Sequence, residues 1–443
     1  MNQQKTKTSK FNVKAGETPG PGKTAVFNTL TRGLVILDSE VLKCLENGRD
    51  SGLNPAELKS LHDLGVLVPE GMDEDLFFDV YYNQVRFDNS ALKITLLPTL
   101  NCNFACPYCY EGELTYGKKQ MSLETAEHVI SWIKARAIES RVSRIRIEYL
   151  GGEPLLNIPV IERIGAELSD FCGKNRMKFI SVIVSNGYLL SRKNAERIAA
   201  AGVSLVRVTI DGPEEVHDLS RFLRGGGRTY SDIIKNLQEC KGILDISLSG
   251  NFTKETVDSL PRLLDDLTEA GLGPDTIYRT QFNAVLPTEA RGKGAAFDKR
   301  CIPADNQHEI IIRANEELVK RGFGIYAEPE LNTCPAVCSA DFTVNYDGAL
   351  YKCPALIDHP GYEVGNVRET PLYNAEMVRC LGYNTFENKT CRDCSLLPLC
   401  AGGCRYMALV YKGRFHEIDC QREGLLSTTL DTVRRMARGL LCQ

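Results

Sequence analysis

Three closely spaced cysteines are the first residues in this chain whose types and spacing suggest chemistry. The stretch NCNFACPYCYE, residues 101 to 111, contains Cys102, Cys106 and Cys109 in a C-x3-C-x2-C pattern, with Tyr108 directly before the last sulfur. A [4Fe–4S] cluster normally takes four thiolates, so three protein ligands would leave one iron with an exchangeable position. A zinc ion held by these sulfurs and a distant fourth ligand is the alternative that spacing alone leaves open.

A second group of cysteines lies toward the C-terminal end. Its eight members are Cys334, Cys338, Cys353, Cys391, Cys394, Cys400, Cys404 and Cys420. Two fully ligated [4Fe–4S] clusters need eight thiolates, and two structural zinc sites are the alternative. The remaining six cysteines stand alone, and each is predicted to be a small buried hydrophobe. They are Cys44, Cys172, Cys240, Cys301, Cys380 and Cys442.

Composition limits the classes of function. The chain has 443 residues, 43% hydrophobic and 25% charged, which suits two or three globular domains. A net charge of −4 gives no overall electrostatic reason to bind nucleic acid or an anionic membrane. No apolar run resembles a signal peptide or reaches the about 18 residues of a membrane helix, so a cytoplasmic location is predicted. In a reducing cytoplasm, cysteine clusters more often bind metal than form disulfides.

The elements that must position these cysteines alternate between strands and helices from about residue 92. The strand candidates are LKITLLP, RIRIEYL, FISVIVS, LVRVTID, LDISLSG and TIYRTQFNAVL. Helix candidates lie between them, around residues 121–138, 157–174, 191–201, 230–241 and 254–270. Alternation of this kind implies right-handed crossovers and a parallel sheet. Six strands predict a partial barrel open on one side, and an open doubly wound sheet is the alternative.

Unusual residues follow the predicted strands in order. The cysteine loop follows the first strand, and four short motifs follow the next four strands. They are GGEP at 151–154, SNG at 185–187, DGP at 211–213 and GNFT at 250–253. In barrel-like α/β folds, catalytic groups gather on the loops after the carboxyl ends of the strands. The sequence therefore predicts one site at this edge of the sheet.

The two flanking regions have a different character. Residues 1–90 predict three strands and two or three helices, which suits a winged-helix-like module or, equally, a stabilising extension. After about residue 320 the alternation stops, and FTVNYDGALYKC predicts a hairpin turning at Asp347 and Gly348. So little apolar continuity indicates a segment held together by metal. The predicted domains are therefore 1–90, 91–320 and 321–443.

The cysteine loop after the first strand, Tyr108 and GGEP together resemble the radical S-adenosylmethionine (SAM) superfamily. The resemblance implies a partial (β/α)6 TIM-like barrel in which the open iron binds the amino and carboxylate groups of SAM. An electron from the cluster then cleaves SAM to methionine and a 5′-deoxyadenosyl radical. In this interpretation Cys102, Cys106 and Cys109 hold the catalytic cluster, and its fourth ligand is the cosubstrate.

The resemblance also assigns SAM contacts. Tyr108 is placed near the adenine, and the run DGPEEVHDLSR resembles a D-G-x4-H-D-x2-R pattern that makes Arg221 a partner of the SAM carboxylate. Other contacts surround the methionine amino group or reach the ribose or carboxylate. The residues placed around the methionine amino group are Gly151, Gly152, Glu153 and Pro154. The residues that could reach the ribose or the carboxylate are Ser185 and Asn186. Glycines allow close backbone approach, and a carboxylate accepts from an ammonium group.

The C-terminal cysteines resemble the SPASM arrangement, an iron–sulfur domain appended to radical SAM enzymes that modify peptides and proteins. By that resemblance, two auxiliary [4Fe–4S] clusters bring the total to three. Auxiliary cluster I would take Cys334, Cys338, Cys353 and Cys404. Auxiliary cluster II would take Cys391, Cys394, Cys400 and Cys420.

The N-terminal order, FNTLTRGLVILD followed by helices and then LPTLNCNFACPYCYE, resembles maturases of ribosomally synthesised, post-translationally modified peptides. In those enzymes a winged-helix-like element binds the precursor leader as an added strand. The favoured interpretation is a maturase that installs thioether cross-links in a Cys-containing precursor, as in ranthipeptides. A flavodoxin or ferredoxin is the implied electron donor, and an auxiliary cluster would accept the electron lost when the carbon–sulfur bond closes.

Three alternatives remain from the sequence. An anaerobic sulfatase-maturing enzyme, which makes formylglycine, has an acidic base directly after the cysteine corresponding to Cys353, where this chain has Pro354 and no acid before Asp358. A peptide epimerase needs a hydrogen donor such as Cys301 or Cys380. A metal-binding adaptor that recognises a peptide without catalysis has no need of GGEP or of an open iron.

Overall fold

A computed structural model describes most of the chain, in two compact units. The described residues are 5–18, 20–49, 51–109, 111–112, 117–285, 307–325, 329–369 and 374–441. The first unit comprises Met1–Arg86, Ala327–Cys334 and Asn384–Gln443, and the second comprises Phe87–Tyr326 and Pro335–Tyr383. Within the described ranges, no helix has both the length and the apolar character needed to cross a lipid bilayer.

The N-terminal part of the first unit contains five strands and three helices. They are β1 (Thr6–Thr8), β2 (Asn12–Glu17), β3 (Lys23–Asn28), β4 (Leu34–Asp38), α1 (Ser39–Glu46), α2 (Pro55–Asp63), β5 (Leu67–Pro69) and α3 (Glu74–Arg86). Strands β2, β3 and β4 form an antiparallel sheet, and β1 pairs with β5. Helix α2 begins after Asn54, because the Asn54 side chain accepts from two backbone amides and Glu57 closes a capping box. The winged-helix character of this region stays a prediction.

Six parallel strands form the core of the second unit. They are β6 (Ala91–Thr99), β7 (Arg144–Gly151), β8 (Lys178–Ser185), β9 (Val203–Thr209), β10 (Asp245–Phe252) and β11 (Ile277–Ala284). The helices between them are α4 (Leu123–Glu139), α5 (Ile158–Lys174), α6 (Arg192–Ala200), α7 (Glu214–Ser220), α8 (Tyr230–Cys240) and α9 (Leu260–Glu269). Strands that are consecutive in the chain are neighbours in the sheet. A doubly wound sheet would reverse this order at a switch point, so the predicted partial barrel is confirmed.

Side-chain alternation explains why the helices pack on the sheet. On β7, Ile145, Ile147 and Tyr149 are fully buried in the main hydrophobic core, whereas the alternate residues Arg146 and Glu148 keep substantial exposure. Successive strand residues point to opposite faces. One face of β7 therefore packs in the apolar core and the other is polar.

Three further strands extend the same sheet. The remaining elements of the second unit are α10 (Gln307–Lys320), β12 (Asp341–Val344), β13 (Ala349–Tyr351), β14 (Gly365–Asn366) and α11 (Ala375–Gly382). Strand β12 pairs in parallel with β6, and β12 and β13 form the hairpin predicted at Asp347 and Gly348, where Gly348 has a φ of +90°. Part of the segment after residue 320 thus adds strands to the barrel sheet, a long-range pairing that local sequence does not indicate. The predicted division into three domains stays a prediction.

The C-terminal residues complete the first unit. Its last helices are α12 (Lys389–Arg392), α13 (Leu397–Cys400), α14 (Arg405–Lys412) and α15 (Arg422–Leu441). Val433 and Ala437 of α15 share a buried cluster with Val13, Ala25 and Phe27 of the N-terminal sheet. The two ends of the chain therefore build one hydrophobic core.

Candidate functional site

The three predicted cluster cysteines lie together on the loop after β6. Burial, followed by the nearby Glu153 carboxylate, raises the pKa of Cys102 to about 12, and the neighbouring Cys106 and Cys109 add to the effect. Burial also raises the pKa of Cys106, to about 11, and that of Cys109. None of the described cysteines forms a disulfide. Three adjacent soft sulfur donors, protonated until a metal displaces the protons, are a donor set that fits an iron–sulfur cluster.

A second segment of chain clamps this loop. Phe104 forms an isolated antiparallel bridge with Leu223, and the Ala105 amide donates to the Phe222 carbonyl at 3.0 Å. The Arg224 guanidinium reaches the cysteine loop directly, with Nε donating to the Cys102 carbonyl at 3.1 Å. The backbone of the cysteine loop is therefore fixed by residues 222–224, which follow α7.

The GGEP turn packs against the other side of the same loop. A Cβ added at Gly152 would lie 2.2 Å from the Asn101 carbonyl oxygen, and one at Gly151 would lie 2.4 Å from the Thr99 carbonyl oxygen. The Glu153 amide donates to the Asn101 carbonyl at 2.8 Å. The two glycines thus have a structural role that the sequence did not indicate. They let the end of β7 approach the backbone of the cysteine loop.

The Glu153 carboxylate joins the second and third strand ends. It is fully buried and accepts from Ser185 Oγ at 2.9 Å, the Asn186 amide at 2.8 Å and the Leu155 amide at 3.0 Å. Burial raises the pKa of this carboxyl group, and these hydrogen bonds oppose the shift. A carboxylate has about four acceptor positions. Three protein donors therefore leave capacity for one more, such as an ammonium group.

The SNG motif at the end of β8 is connected to the cysteine loop. Asn186 Nδ2 donates to Asn103 Oδ1 at 2.8 Å, and both Ser185 and Asn186 are buried. Asn103 Nδ2 is itself buried without a hydrogen-bond partner among the described residues. The predicted SAM contacts on the second and third strands therefore surround the cysteine loop.

A chain of hydrogen bonds supports the main chain of the predicted SAM-carboxylate partner, Arg221. The Asp211 amide donates to His217 Nδ1 at 3.3 Å, which leaves Nε2 of a neutral imidazole to donate to Thr229 Oγ1 at 3.2 Å. The Thr229 hydroxyl then donates to the Arg221 carbonyl at 2.6 Å. Burial, followed by the Arg221 charge, lowers the pKa of His217 well below its usual value, which fits the neutral tautomer.

The second acid of the same motif anchors the next helix. Asp218 Oδ1 accepts from the amides of Thr229 and Tyr230, at 2.9 and 3.0 Å, where α8 begins. A carboxylate at a helix N-terminus satisfies amides that lack intrahelical partners. The sequence predicts a role only for the arginine of the D-G-x4-H-D-x2-R run, yet the other polar residues of this run position that arginine. The pattern could have indicated this, because buried polar side chains are normally hydrogen-bonded.

Arg221 itself retains an unused donor. Its side chain is 10% exposed, and its Nε is buried without a hydrogen-bond partner among the described residues. Buried donors without a partner are uncommon in folded proteins and often mark a ligand site. A carboxylate is the natural acceptor for a guanidinium group. This orphaned atom fits the predicted contact with the SAM carboxylate.

The predicted ligands of auxiliary cluster II also lie together, in the first unit. Burial raises the pKa of Cys400 to about 11, and the nearby thiols Cys391, Cys420 and Cys394 add to the effect. Arg405, one of the largest fully buried side chains, donates from Nη2 to the Gly402 carbonyl and, at 3.2 Å, to the Gly403 carbonyl. Four adjacent thiols around a turn of this kind fit a second cluster.

The predicted ligands of auxiliary cluster I are divided between the units. Cys338 and Cys353 belong to the second unit, and Cys334 and Cys404 belong to the first. The buried Lys352 donates from Nζ to the Cys338 carbonyl, which connects the residue before Cys353 with Cys338. The grouping of these four cysteines stays a prediction.

The six isolated cysteines differ in their burial. Cys172, Cys240 and Cys380 are buried as predicted, Cys44 is partly exposed, and Cys301 and Cys442 lie outside the described residues.

Comparison with known proteins identifies the class of the barrel. Residues 96–276 match the family described as the Radical SAM superfamily, and this part of the chain is a radical SAM domain. The predicted resemblance to that superfamily is confirmed over these residues.

Individual relatives extend the likeness. The radical SAM cyclopropyl synthase TigE of Paramaledivibacter caminithermalis is 23% identical over 246 residues, which cover 49% of this chain and 51% of that enzyme. The structure of anSMEcpe with bound AdoMet and the Cp18Cys peptide superposes with a TM-score of 0.62 at 19% identity, covering 79% of this chain and 99% of that one. Streptococcus suis SuiB bound to precursor peptide SuiA gives a TM-score of 0.56 at 14% identity, covering 94% and 99%. At these identities the two structures share the fold of this chain.

Proposed function

We propose that this protein is a peptide maturase that reductively cleaves SAM and installs thioether cross-links in a ribosomally made, Cys-containing precursor peptide. One observation carries the SAM part of the proposal. At the carboxyl ends of parallel strands, three adjacent, partly buried thiols lie beside a buried carboxylate with spare acceptor capacity, Glu153, and Arg221 offers a free buried Nε. A thiol set, a carboxylate and a guanidinium group match the iron, amino and carboxylate contacts that SAM requires.

The residues divide this work among them. Cys102, Cys106 and Cys109 would hold the first [4Fe–4S] cluster. Glu153 would accept from the methionine ammonium, and Gly151, Gly152 and Pro154 set the turn that presents it. Ser185 and Asn186 orient Glu153 and the cysteine loop, while Arg221 would bind the SAM carboxylate and Tyr108 would lie near the adenine. The auxiliary clusters would take the two sets of four C-terminal cysteines.

When bound, the clusters would supply the electron that cleaves SAM and an acceptor for the electron released later by the peptide. The peptide loses two hydrogens per cross-link. One leaves a carbon as a hydrogen atom taken up by the deoxyadenosyl group, and the cysteine thiol loses the other as a proton, together with one electron from the peptide. The polar face of the barrel strands would surround the reacting residues, and the edge of the antiparallel sheet β2–β4 would take the precursor leader as an added strand.

Formylglycine formation is the second candidate, because anSMEcpe superposes on 79% of this chain. An acidic base next to the cysteine corresponding to Cys353 is absent here, since Pro354 follows it. Asp358, the nearest acid downstream, is paired through Oδ2 with Lys119 Nζ at 2.8 Å. An engaged carboxylate is a poor base, so the thioether reaction is favoured. For epimerisation, the donor candidate Cys380 is 2% exposed, which argues against access to a peptide.

The test is an anaerobic incubation of reconstituted protein with SAM, a reductant and a Cys-containing precursor encoded near it, with a flavodoxin or ferredoxin as an alternative donor. We expect 5′-deoxyadenosine and a peptide that has lost two hydrogens per cross-link, with its cysteine no longer open to alkylation. An aldehyde at a cysteine position would instead support formylglycine formation. Deuterium uptake from solvent without that mass loss would support epimerisation.

A matched pair of variants separates cluster chemistry from damage to the fold. Cys106→Ala removes a proposed iron ligand, whereas Cys172→Ala removes a thiol that is 1% exposed in the main core and has no proposed role. Cys106→Ala should abolish deoxyadenosine formation, and Cys172→Ala should leave it intact. Deoxyadenosine formation by a Cys106→Ala protein would contradict the assignment. Wild-type protein that binds metal but contains far less than about twelve iron and twelve sulfide would instead favour a non-catalytic metal-binding role.

A further inference from the structure

A buried carboxylate outside the predicted contact set lies at the centre of the site. Asp211, at the end of β9, is 2% exposed. Its Oδ1 accepts from the Asn251 amide at 2.9 Å, and its Oδ2 accepts from the Tyr108 hydroxyl. The same carboxylate lies 3.9 Å from Arg221 Nη1. One side chain thus connects the end of β10, the cysteine loop and the predicted SAM-carboxylate partner.

Tyr108 forms the physical link to the cluster loop. Its hydroxyl donates to Asp211 and accepts from Arg221 Nη1 at 2.7 Å. Residue 108 lies between Cys106 and Cys109 in the chain, so a change in the position of the phenol must be transmitted to two proposed iron ligands. The packing of Arg221 over the Phe104 ring, with 5.8 Å from Cζ to the ring centroid, adds a second contact between the arginine and this loop.

The charges explain why a carboxylate is needed. A buried guanidinium group without a counter-charge destabilises the folded protein strongly. Asp211 supplies that counter-charge from one side, while Arg221 Nε stays without a partner on the other. Arg221 is therefore held charged and oriented by Nη1, with Nε left for a ligand carboxylate.

We propose that Asp211 is a positioning residue that couples SAM binding to the conformation of the cluster loop, with the Tyr108 hydroxyl as the connecting group. The proposal rests on the proposed function in one respect, because it takes the cysteine loop as the cluster site and Arg221 as the SAM-carboxylate partner. The proposal gives Asp211, the aspartate of the DGP motif, a role. It also makes the Tyr108 hydroxyl the connection between Asp211 and the cysteine loop, in addition to the predicted place of Tyr108 near the adenine.

The test is a double-mutant cycle on the reconstituted full chain. Asp211→Asn keeps the size of the side chain and removes its charge, and Tyr108→Phe removes only the hydroxyl. The measured quantities are the dissociation constant for SAM, from the change in the electron paramagnetic resonance signal of the reduced cluster, and the iron content. Each single variant should weaken SAM binding by about 10- to 100-fold, the range for a lost hydrogen bond to a charged group. The double variant should lose little more than the worse single variant, because both act through one network.

Tyr149→Phe is the matched control. Tyr149 is also a buried phenol of the barrel, but its hydroxyl donates to the Ile161 carbonyl, at 3.5 Å. This variant should bind SAM as the wild type does. If Asp211→Asn does not load iron, Tyr108→Phe alone decides, since the loss of one hydroxyl preserves the aromatic packing.

Two results would overturn the coupling. One is SAM binding by Tyr108→Phe and Asp211→Asn at the wild-type constant, and the other is losses that multiply in the double variant. A general structural defect would lower iron content and melting temperature in parallel. It would not produce the smaller-than-multiplicative loss of SAM binding expected for the double variant. Failure of the loaded wild-type protein to bind SAM would instead overturn the proposed function, and this inference with it. These outcomes are distinct because failure of the proposed function is read from the wild-type protein and failure of the coupling from the variants.

Discussion

Substitution of Gly152 by alanine should displace the cysteine loop. The new Cβ would lie 2.2 Å from the Asn101 carbonyl oxygen and 2.4 Å from the Leu100 carbonyl oxygen. Both obstacles are backbone atoms, so no side chain can rotate away. Real Cβ atoms essentially never lie closer than 3.0 Å to another heavy atom. The cysteine loop or the GGEP turn must therefore move apart by about 0.8 Å.

The magnitude follows from overpacking. Inserting a methyl group into a tightly packed site typically costs about 1–3 kcal/mol, and a collision with backbone on two sides places Gly152→Ala near about 3 kcal/mol. A displacement approaching 1 Å at a reacting site also costs about 100-fold in rate. We therefore expect a lower denaturant midpoint for the apoprotein, fewer irons retained at the first cluster and weaker SAM cleavage.

Gly173→Ala is the control for this experiment. Gly173 lies in α5, and an added Cβ there would meet nothing within 4 Å. Alanine is favoured over glycine in a helix by about 1 kcal/mol, so this variant should be as stable as wild type or slightly more stable. The assay is denaturant unfolding of both apoproteins, with iron and sulfide analysis after reconstitution. Wild-type unfolding and full iron content in Gly152→Ala would refute the steric argument.

Three further predictions test other parts of the chain. Cys400→Ser should lower the iron content by about four of about twelve per chain if auxiliary cluster II takes this thiol; an unchanged iron content would contradict the assignment. Arg405→Met removes the donor to the Gly402 and Gly403 carbonyls, which should cost about 1–3 kcal/mol and lower the denaturant midpoint of the apoprotein; an unchanged midpoint would show that those carbonyls find other donors. Asn54→Ala removes the cap of α2 and should cost about 1 kcal/mol, seen as faster amide hydrogen exchange in α2 at constant iron content; unaltered exchange would contradict the role of the cap.

The barrel could be predicted from the sequence because its signals are local. Each of β6–β11 is a short apolar or alternating run separated from the next by an amphipathic helix, and the motifs of the site follow consecutive strands. Parallel strands bring their carboxyl ends to one edge, so Cys102, Glu153 and Asn186 had to be neighbours. That inference required the order of the strands and no knowledge of side-chain contacts.

The contacts that position these residues could not be predicted, because they join distant parts of the chain. Nothing near Tyr108 indicates that its hydroxyl meets Asp211, 103 residues further on. The pairing of β12 with β6 joins residues about 250 positions apart and leaves no periodic trace in either segment. The short strands β1 and β5 were also missed, since three residues are too few to show a period.

The shared core of the two chain ends has a consequence for synthesis on the ribosome. Val13 and Phe27 emerge from the ribosome before the barrel, but their partners Val433 and Ala437 are made about 400 residues later. At about 5–20 residues per second, roughly 20–80 seconds separate the two, during which the apolar face of the early sheet has no native cover. The first unit can therefore finish folding only once α15 has been made, while the strands of the barrel can pair before then. A nascent chain that stalls before α15 is made would hold a completed barrel and an N-terminal sheet whose apolar face lacks its native cover.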